Sequence, residues 1–248
     1  MVDEQRLLAG LDGNGDKARA VHDTGWEYRK SGNYGKADEL DRYVIERWPK
    51  DVQAMWSRMD MAKTDIWLGN YDSADKAIDT LIADFNDQPE LPTAISLLGE
   101  QYHKQALRYQ SEGREAEAKE YFQKAIVLLE RVINELPRSS AIPQSYYSAG
   151  RCYESLGEYE YAIYYFKKVI DNWPNFERAW NAQFLIATCL DKLASSGRIE
   201  KINAAAQIYG TCEKLLAEYP DCPAVKAAIN LIEKWHFIMG REEKANDK

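Results

Sequence analysis

Residues 146–174 read YYSAGRCYESLGEYEYAIYYFKKVIDNWP and carry the clearest structural signal in the chain. After Gly157 the apolar side chains recur at steps of three and four residues, which is the period of one face of an α-helix. They are Tyr159, Ala162, Ile163, Phe166, Val169, Ile170 and Trp173. Glycine ends a helix at low cost in the left-handed conformation, and proline cannot continue a helix. The stretch therefore predicts a helix, a tight turn at Gly157, a second helix and a stop at Pro174.

The same marks recur along the whole chain. A glycine is followed five residues later by an alanine in four places: Gly32 with Ala37, Gly69 with Ala74, Gly113 with Ala118 and Gly157 with Ala162. A proline that follows a bulky side chain closes a unit at four places: Pro49, Pro137, Pro174 and Pro220. Self-similarity of this kind indicates a repeat protein, in which each unit buries its apolar face against its neighbours.

These marks divide the chain into helix pairs. The expected pairs are 16–31 with 34–47, 50–68 with 71–84, 90–112 with 114–135, 140–156 with 159–172, and 175–194 with 199–217. A further periodic segment at about 223–239 is expected to cap the stack. We therefore predict an all-α, right-handed superhelix as a single domain over 16–239, with an N-terminal segment 1–15 and a frayed polar tail 240–248.

The repeat resembles the tetratricopeptide repeat, and the resemblance covers most of the chain. The fourth unit carries it best, through Tyr146, Ala149, Gly150, Tyr153, Gly157, Tyr159, Ala162, Phe166 and Pro174. The first unit departs from the family pattern at Asp41, where a large apolar residue is usual, and the fifth has a longer connection at 195–198 in place of the turn glycine region. The resemblance implies a non-enzymatic scaffold that binds a peptide or helical segment of a partner protein in a concave groove.

The spacing from Pro49 to Gly69 and from Pro137 to Gly157 is longer than the ordinary repeat allows. This longer variant resembles bacterial cell-envelope members of the family, namely the TolA-binding division coordinator and the lipoprotein of the outer-membrane β-barrel assembly machine. The resemblance implies a role in organising an envelope assembly. The expected location is the periplasm or envelope if a signal was removed, and otherwise the cytoplasm.

Composition and charge exclude several other classes. The 248 residues are 45% hydrophobic and carry a formal net charge of −8, which disfavours binding to nucleic acid phosphates. The longest uncharged runs, 139–150 and 179–190, are shorter than the roughly 18 residues that a membrane-spanning helix needs. The N-terminal residues carry charge and no apolar core of the length that a secretory signal needs.

No catalytic or metal constellation is evident in the sequence. The histidines His22, His103 and His236 stand in separate units, without a recognised catalytic motif. The four cysteines, Cys152, Cys189, Cys212 and Cys222, include no CxxC pair and are expected to be free and partly buried, although Cys212 and Cys222 could approach each other. The stretch DGNGD at 12–16 echoes half of a calcium loop, but it also suits a turn whose Asn14 or Asp16 caps the next helix. We expect no enzyme activity and no cofactor.

The candidate site consists of first-helix residues, counted back from each turn glycine, that the family geometry places in the concave groove. They are Trp26, Trp56, Met59, Lys63, Trp67, His103, Tyr147 and Arg151. Large apolar side chains on such a surface point to a partner, since tryptophan is a frequent interface hot spot. Alternatively these residues pack against the segment 1–15 or a neighbouring subunit, and the chain is a structural or self-associating subunit. Arg19, Lys30 and Lys63 are candidates for gripping a C-terminal carboxylate, but the paired asparagines of that family variant are missing.

Overall fold

The computed structural model describes residues 16–136 and 139–246, and side chains only as far as Gly240. In this part of the chain there are eleven helices and no strand. They are α1 (Lys17–Lys30), α2 (Tyr34–Arg47), α3 (Val52–Leu68), α4 (Tyr71–Asp84), α5 (Leu91–Ser111), α6 (Glu115–Glu135), α7 (Ile142–Ser155), α8 (Tyr159–Asn172), α9 (Ala179–Ser195), α10 (Lys201–Glu218) and α11 (Val225–Asn246). The predicted fold class, five helix pairs followed by a C-terminal helix, is confirmed.

Glycine turns join the two helices of each pair. Gly32, Gly69, Gly113, Gly157 and Gly197 all have φ between 73° and 86°, the left-handed region that favours glycine. The fifth connection was expected to lack such a turn, and this expectation was wrong. Arg198 N–H donates to the carbonyl of Leu193 at 2.9 Å, the same bond that Glu158 N–H makes to Tyr153 at 2.9 Å in the fourth pair. The turn glycine is therefore present at Gly197, reached after a longer first helix.

The small residues of the recurring motif are buried in the packing of the helix pairs. Ala37, Ala74, Ala118 and Ala162 are all buried. In the fourth pair the approach is closest at Gly150, where a Cβ atom would lie 2.6 Å from Cε1 of the buried Phe166. The small residue at this position is therefore required by packing.

The first described helix begins after Asp16, and the last one extends to Asn246. The segment 1–15 lies outside the described residues, and with it most of the calcium-like stretch; Asp16 accepts a hydrogen bond from the backbone N–H of Arg19 at 3.0 Å and so caps α1. At the other end α11 continues to Asn246, into the segment 240–248 that was expected to be a frayed polar tail. The helix continues because the tail is rich in lysine and glutamate, which are good helix formers.

The contacts divide the chain into two compact units. The first comprises Met1–Leu128 and Glu135–Ala141, and the second comprises Leu129–Asn134 and Ile142–Lys248. In the second unit one apolar core runs from α7 to α11 and includes Phe166, Ile208 and Trp235. The prediction of a single domain over 16–239 stays a prediction.

The cysteines and the hydropathy of the helices agree with the sequence expectations. All four cysteines are free, with Cys152, Cys189 and Cys212 buried and Cys222 half-buried. Within the described residues, every helix falls short of the length and apolar character needed to cross a membrane.

Candidate protein-binding surface

The first unit has an open cavity on the face formed by the first helices of its pairs. Helices α1 and α3, and α3 and α5, pack side by side there. The cavity has a volume of about 320 Å³ and is lined by Trp26, Arg29, Lys30, Tyr34, Lys63, Thr64, Trp67 and Gln101. Three of the eight predicted site residues, Trp26, Lys63 and Trp67, therefore share one cavity.

Two partly exposed tryptophans flank this cavity, and each lies beside a cation. Trp26 is 39% exposed and Trp67 is 46% exposed. Nζ of Lys63 lies 5.5 Å from the ring centroid of Trp26, and the guanidinium carbon of Arg108 lies 5.5 Å from that of Trp67. This arrangement offers an apolar group the indole rings to pack on. It also offers a carboxylate the ammonium of Lys63 beside the Trp26 ring.

Three predicted site residues of the first unit, Met59, Trp56 and His103, do not line this cavity. Met59 is buried, with 4% of its surface exposed. Trp56 is half-buried and is not among the residues that line the cavity. His103 is also half-buried, and its ring centroid lies 5.5 Å from that of Phe122. The count from the turn glycine places these residues on the correct helices but does not account for what packs over them.

The last two predicted residues belong to the second unit. Tyr147 is buried, its hydroxyl donates to Oδ1 of Asn181 at 2.5 Å, and its ring packs against Phe166. Arg151 lies within 3.3 Å of a carboxylate oxygen of Glu154. Tyr147, predicted as a partner-binding residue, is therefore covered by its own neighbours, and its role in binding stays a prediction.

A buried ion pair lies beneath the cavity and joins three helices. Nη2 of Arg29 donates to Asp41 at 2.8 Å and to Asp38 at 3.0 Å, and its Nε donates to Oγ1 of Thr64 at 2.9 Å. Asp41 is fully buried, and this burial raises its pKa to about 6 even though Arg29 lowers it. Asp41, which departs from the family pattern, therefore exists as the partner of Arg29, and the pair fixes α1, α2 and α3 relative to one another.

His22 extends the same polar cluster. Its Nε2 lies 3.4 Å from Oδ2 of the buried Asp60. Burial lowers the pKa of His22, but the contact with Asp60 and the charges of Asp41 and Asp23 outweigh it, so the pKa is raised above its ordinary value. Within the described residues no group of three histidine, cysteine, aspartate or glutamate side chains is placed to hold a metal ion.

The cations proposed for gripping a carboxylate do not form one set. Lys30 and Lys63 both line the cavity, whereas Arg19 does not and instead lies 3.8 Å from Asp23. Sequence reasoning also missed Tyr34 and Gln101 as lining residues. Tyr34 begins a second helix, and Gln101 is not at a position counted back from the turn glycine, so neither was among the predicted first-helix residues.

Comparison with known proteins agrees with this architecture. Residues 102–128 and 144–175 each match a family model described as tetratricopeptide repeat. The match over 144–175 contains the stretch 146–174, from which the repeat was first recognised. No curated protein matches the chain in sequence.

Several solved structures are similar to the chain. A signal-transduction ATPase with a tetratricopeptide repeat sensor from Pyrococcus horikoshii is 18% identical over 95% of this chain and 36% of its own, with a TM-score of 0.55. The MamA protein is 18% identical over 84% of this chain and 94% of its own, with a TM-score of 0.48. A thermophilic repeat protein from Thermus thermophilus is 20% identical over 90% of this chain and 98% of its own, with a TM-score of 0.44. The likeness to the Pyrococcus protein concerns the fold alone.

Proposed function

We propose that this chain, a tetratricopeptide repeat protein, is a scaffold that binds a segment of a partner protein in the cavity between α1, α3 and α5. The observation that carries the proposal is the pair of tryptophans, Trp26 and Trp67, which remain partly exposed on either side of one cavity. Binding needs little rearrangement of the chain, because packed helix pairs present a preformed surface to an extended or helical segment.

The exposed tryptophan surface supplies the driving force. Burying the exposed part of each indole would contribute about 2 kcal/mol, at about 25 cal/mol per Å² of apolar area removed from water. Tryptophans at the centre of a pocket are the commonest hot spots of protein interfaces. A partner that covers both rings would therefore gain most of its affinity from Trp26 and Trp67.

The charges around the cavity indicate the chemistry of the partner. Lys30 and Lys63 line it, and the ion pair of Lys30 with Glu27 is exposed, so a partner can replace it at little cost. Nε and Nη2 of Arg29 are already held by Thr64, Asp38 and Asp41, so we assign recognition of a carboxylate to the two lysines. We therefore expect an apolar segment that also carries an acidic residue.

Other parts of the predicted function rest on the resemblance alone. The roles of Trp56, Met59, His103, Tyr147 and Arg151 in binding stay predictions, as does a place in bacterial envelope assembly. The alternative of a structural or self-associating subunit makes a different prediction, namely that the second copy of the chain covers the tryptophans.

The test compares Trp26→Ser/Trp67→Ser with a matched control. Leu68→Ser removes an exposed apolar side chain next to Trp67 that does not line the cavity. A partner is first captured from native lysate, its binding segment is mapped, and its affinity for each variant is measured by calorimetry at equal helicity. The double variant should bind at least about tenfold more weakly, while Leu68→Ser should bind as the wild type does.

Two results would argue against the proposal. Equal affinity of the double variant and the wild type would remove the tryptophans from recognition. A molar mass that rises with concentration in the wild type, but not in the double variant, would assign the cavity to self-association instead.

A further inference from the structure

The second unit has an open cavity made almost entirely of tyrosines and glutamates. It has a volume of about 370 Å³ and is lined by Glu130, Tyr153, Glu160, Tyr161, Tyr164 and Tyr165. We call this group the tyrosine cluster. It shares no residue with the cavity of the first unit, so it does not depend on the function proposed above.

The rings of the tyrosine cluster form a stack with exposed faces. Tyr153 packs nearly parallel to two other rings, with its centroid 5.2 Å from that of Tyr161 and 5.2 Å from that of Tyr165 and interplanar angles of 23° and 21°. Tyr164 meets Tyr165 edge to face at 5.3 Å. Tyr161 is 58% exposed and Tyr164 is 52% exposed. Tyr161 and Tyr164 are therefore the partly exposed rings of the cluster, beside the packed pair of Tyr153 and Tyr165.

A carboxylate stands inside this aromatic group. Glu130 accepts hydrogen bonds from the hydroxyls of Tyr153 at 2.9 Å and Tyr165 at 2.5 Å. Burial raises the pKa of Tyr153 to about 12, and its hydrogen bond to Glu130 contributes to that rise, so the phenol keeps its proton at neutral pH. Among the described residues, no lysine, arginine or histidine forms an ion pair with Glu130.

The other charges near the cluster leave that negative charge uncompensated. Glu160 is neutralised by Arg198, whose Nη2 lies 2.6 Å from it. Nζ of Lys168 lies 5.4 Å from the ring centroid of Tyr164, so a lysine of the same helix already lies beside this ring. The cluster thus combines exposed ring faces, which attract cations, with one carboxylate that lacks a cation.

We propose that the tyrosine cluster binds an arginine side chain from a basic segment of a partner protein. A planar guanidinium can stack on a tyrosine face and at the same time donate to the second oxygen of the Glu130 carboxylate, because Oε1 already accepts from both hydroxyls. A lysine ammonium can do only part of this, because it is a compact charge without a flat face. The cavity therefore selects arginine over lysine by shape as well as by charge.

The test uses the full chain and three blocked peptides that are identical except at three positions. These positions hold arginine, lysine or neutral citrulline, each separated by glycine-serine pairs. Binding is measured by fluorescence anisotropy at about 0.15 M salt, where the screening length of about 8 Å suppresses long-range attraction to the acidic chain. The arginine peptide should bind most tightly and the citrulline peptide should not bind.

Substitutions in the cluster separate its aromatic faces from simple apolar contact. Tyr164→Leu keeps an apolar side chain but removes the ring, and should weaken binding of the arginine peptide by about tenfold. Tyr164→Phe keeps the ring and should bind as the wild type does. Glu130→Gln retains an acceptor for the two hydroxyls but removes the charge, and should also weaken binding.

Two control variants lie outside the cluster. Tyr28→Leu removes a half-buried tyrosine of the first unit, and Glu177→Gln removes an exposed charge of the second. Both should leave the affinity unchanged. Equal binding of the citrulline or lysine peptide, equal affinity of Tyr164→Leu and wild type, or an equal loss in a control variant would each overturn the proposal.

Discussion

Replacing Gly150 by alanine should destabilise the protein, although the same change in most helices is stabilising. Gly150 lies within α7, and a Cβ atom there would lie 2.6 Å from Cε1 and 2.8 Å from Cδ1 of Phe166. The Phe166 ring is fully buried and packs against Tyr147, with ring centroids 6.0 Å apart. The ring therefore has little space into which it can move.

The size of the effect is the difference between two opposing contributions. Alanine in place of glycine within a helix stabilises it by about 1 kcal/mol. Forcing an extra methyl group into a packed core costs about 1–3 kcal/mol, because side chains and backbone must shift. Since the contact at 2.6 Å is far inside the van der Waals distance, we take the upper part of that range. The free energy of unfolding should fall by about 1–2 kcal/mol.

Urea denaturation followed by circular dichroism measures this change, and Gly210→Ala provides the matched control. Gly210 lies within α10 of the same unit, and a Cβ atom there would meet nothing within 4 Å. That variant should be stabilised by about 1 kcal/mol. Combining Gly150→Ala with Phe166→Leu should cost less than the sum of the two single changes, since the smaller side chain removes the contact. If Gly150→Ala proved as stable as Gly210→Ala, the close approach of α7 and α8 would not be the reason for the glycine.

Three further predictions follow from buried groups. The pKa of Asp41 is raised to about 6 in the folded protein from an ordinary 3.8, so the folded state holds this proton more tightly than the unfolded state. The stability of the wild type relative to Asp41→Asn should therefore fall by about 3 kcal/mol as the pH rises from below 4 to above 6, at about 1.4 kcal/mol per pKa unit. Denaturation of both proteins at several pH values measures this difference. A difference that does not change with pH would contradict the prediction. Burial raises the pKa of the Cys189 thiol to about 12 and that of the Cys212 thiol to about 11. Iodoacetamide at mildly alkaline pH should therefore label the half-buried Cys222 first. Early labels on the buried thiols in peptide mass spectrometry would contradict this. Trp235 is buried and its Nε1 donates to Asp191 at 3.0 Å. Trp235→Ala should therefore lower the free energy of unfolding by about 3–5 kcal/mol. A loss below about 1 kcal/mol in a urea titration would show that α11 adds little to the core.

The helices could be predicted from the sequence because their signals are local. The period of the apolar side chains marks the buried face, and the glycine at φ 76° in the turn before α8 marks a helix end within a few residues. The end of α11 was missed because a polar, charged sequence is compatible both with solvent and with a continuing helix. Local signals distinguish these two states poorly.

The binding surface was predictable only in part, because exposure depends on what packs above a residue. Spacing from the turn places Met59, Lys63 and Trp67 on one helix, yet Met59 is buried and Trp67 is 46% exposed. Spacing marked Asp41 as unusual but could not identify Arg29 as its partner, since that contact joins two different helices. The tyrosine cluster was missed because α8 was searched for core residues, and Tyr161 and Tyr164 were not considered as an exposed pair.

The ion pair of Arg29 and Asp41 also constrains how the first repeat can change during evolution. Asp41→Leu alone would restore the kind of residue usual at that position of the repeat, but it would leave the buried guanidinium with only Asp38 as a charged partner. Losing one member of a buried pair costs about 3–5 kcal/mol, whereas exchanging both members for apolar residues is often neutral or favourable. Positions 29 and 41 should therefore change together among homologous chains, and Thr64 should vary with them because its hydroxyl accepts from the same guanidinium. Either single substitution gives a less stable protein than both the ion pair and the apolar pair. Homologous chains should therefore carry one of the two pairs, and seldom one member of each.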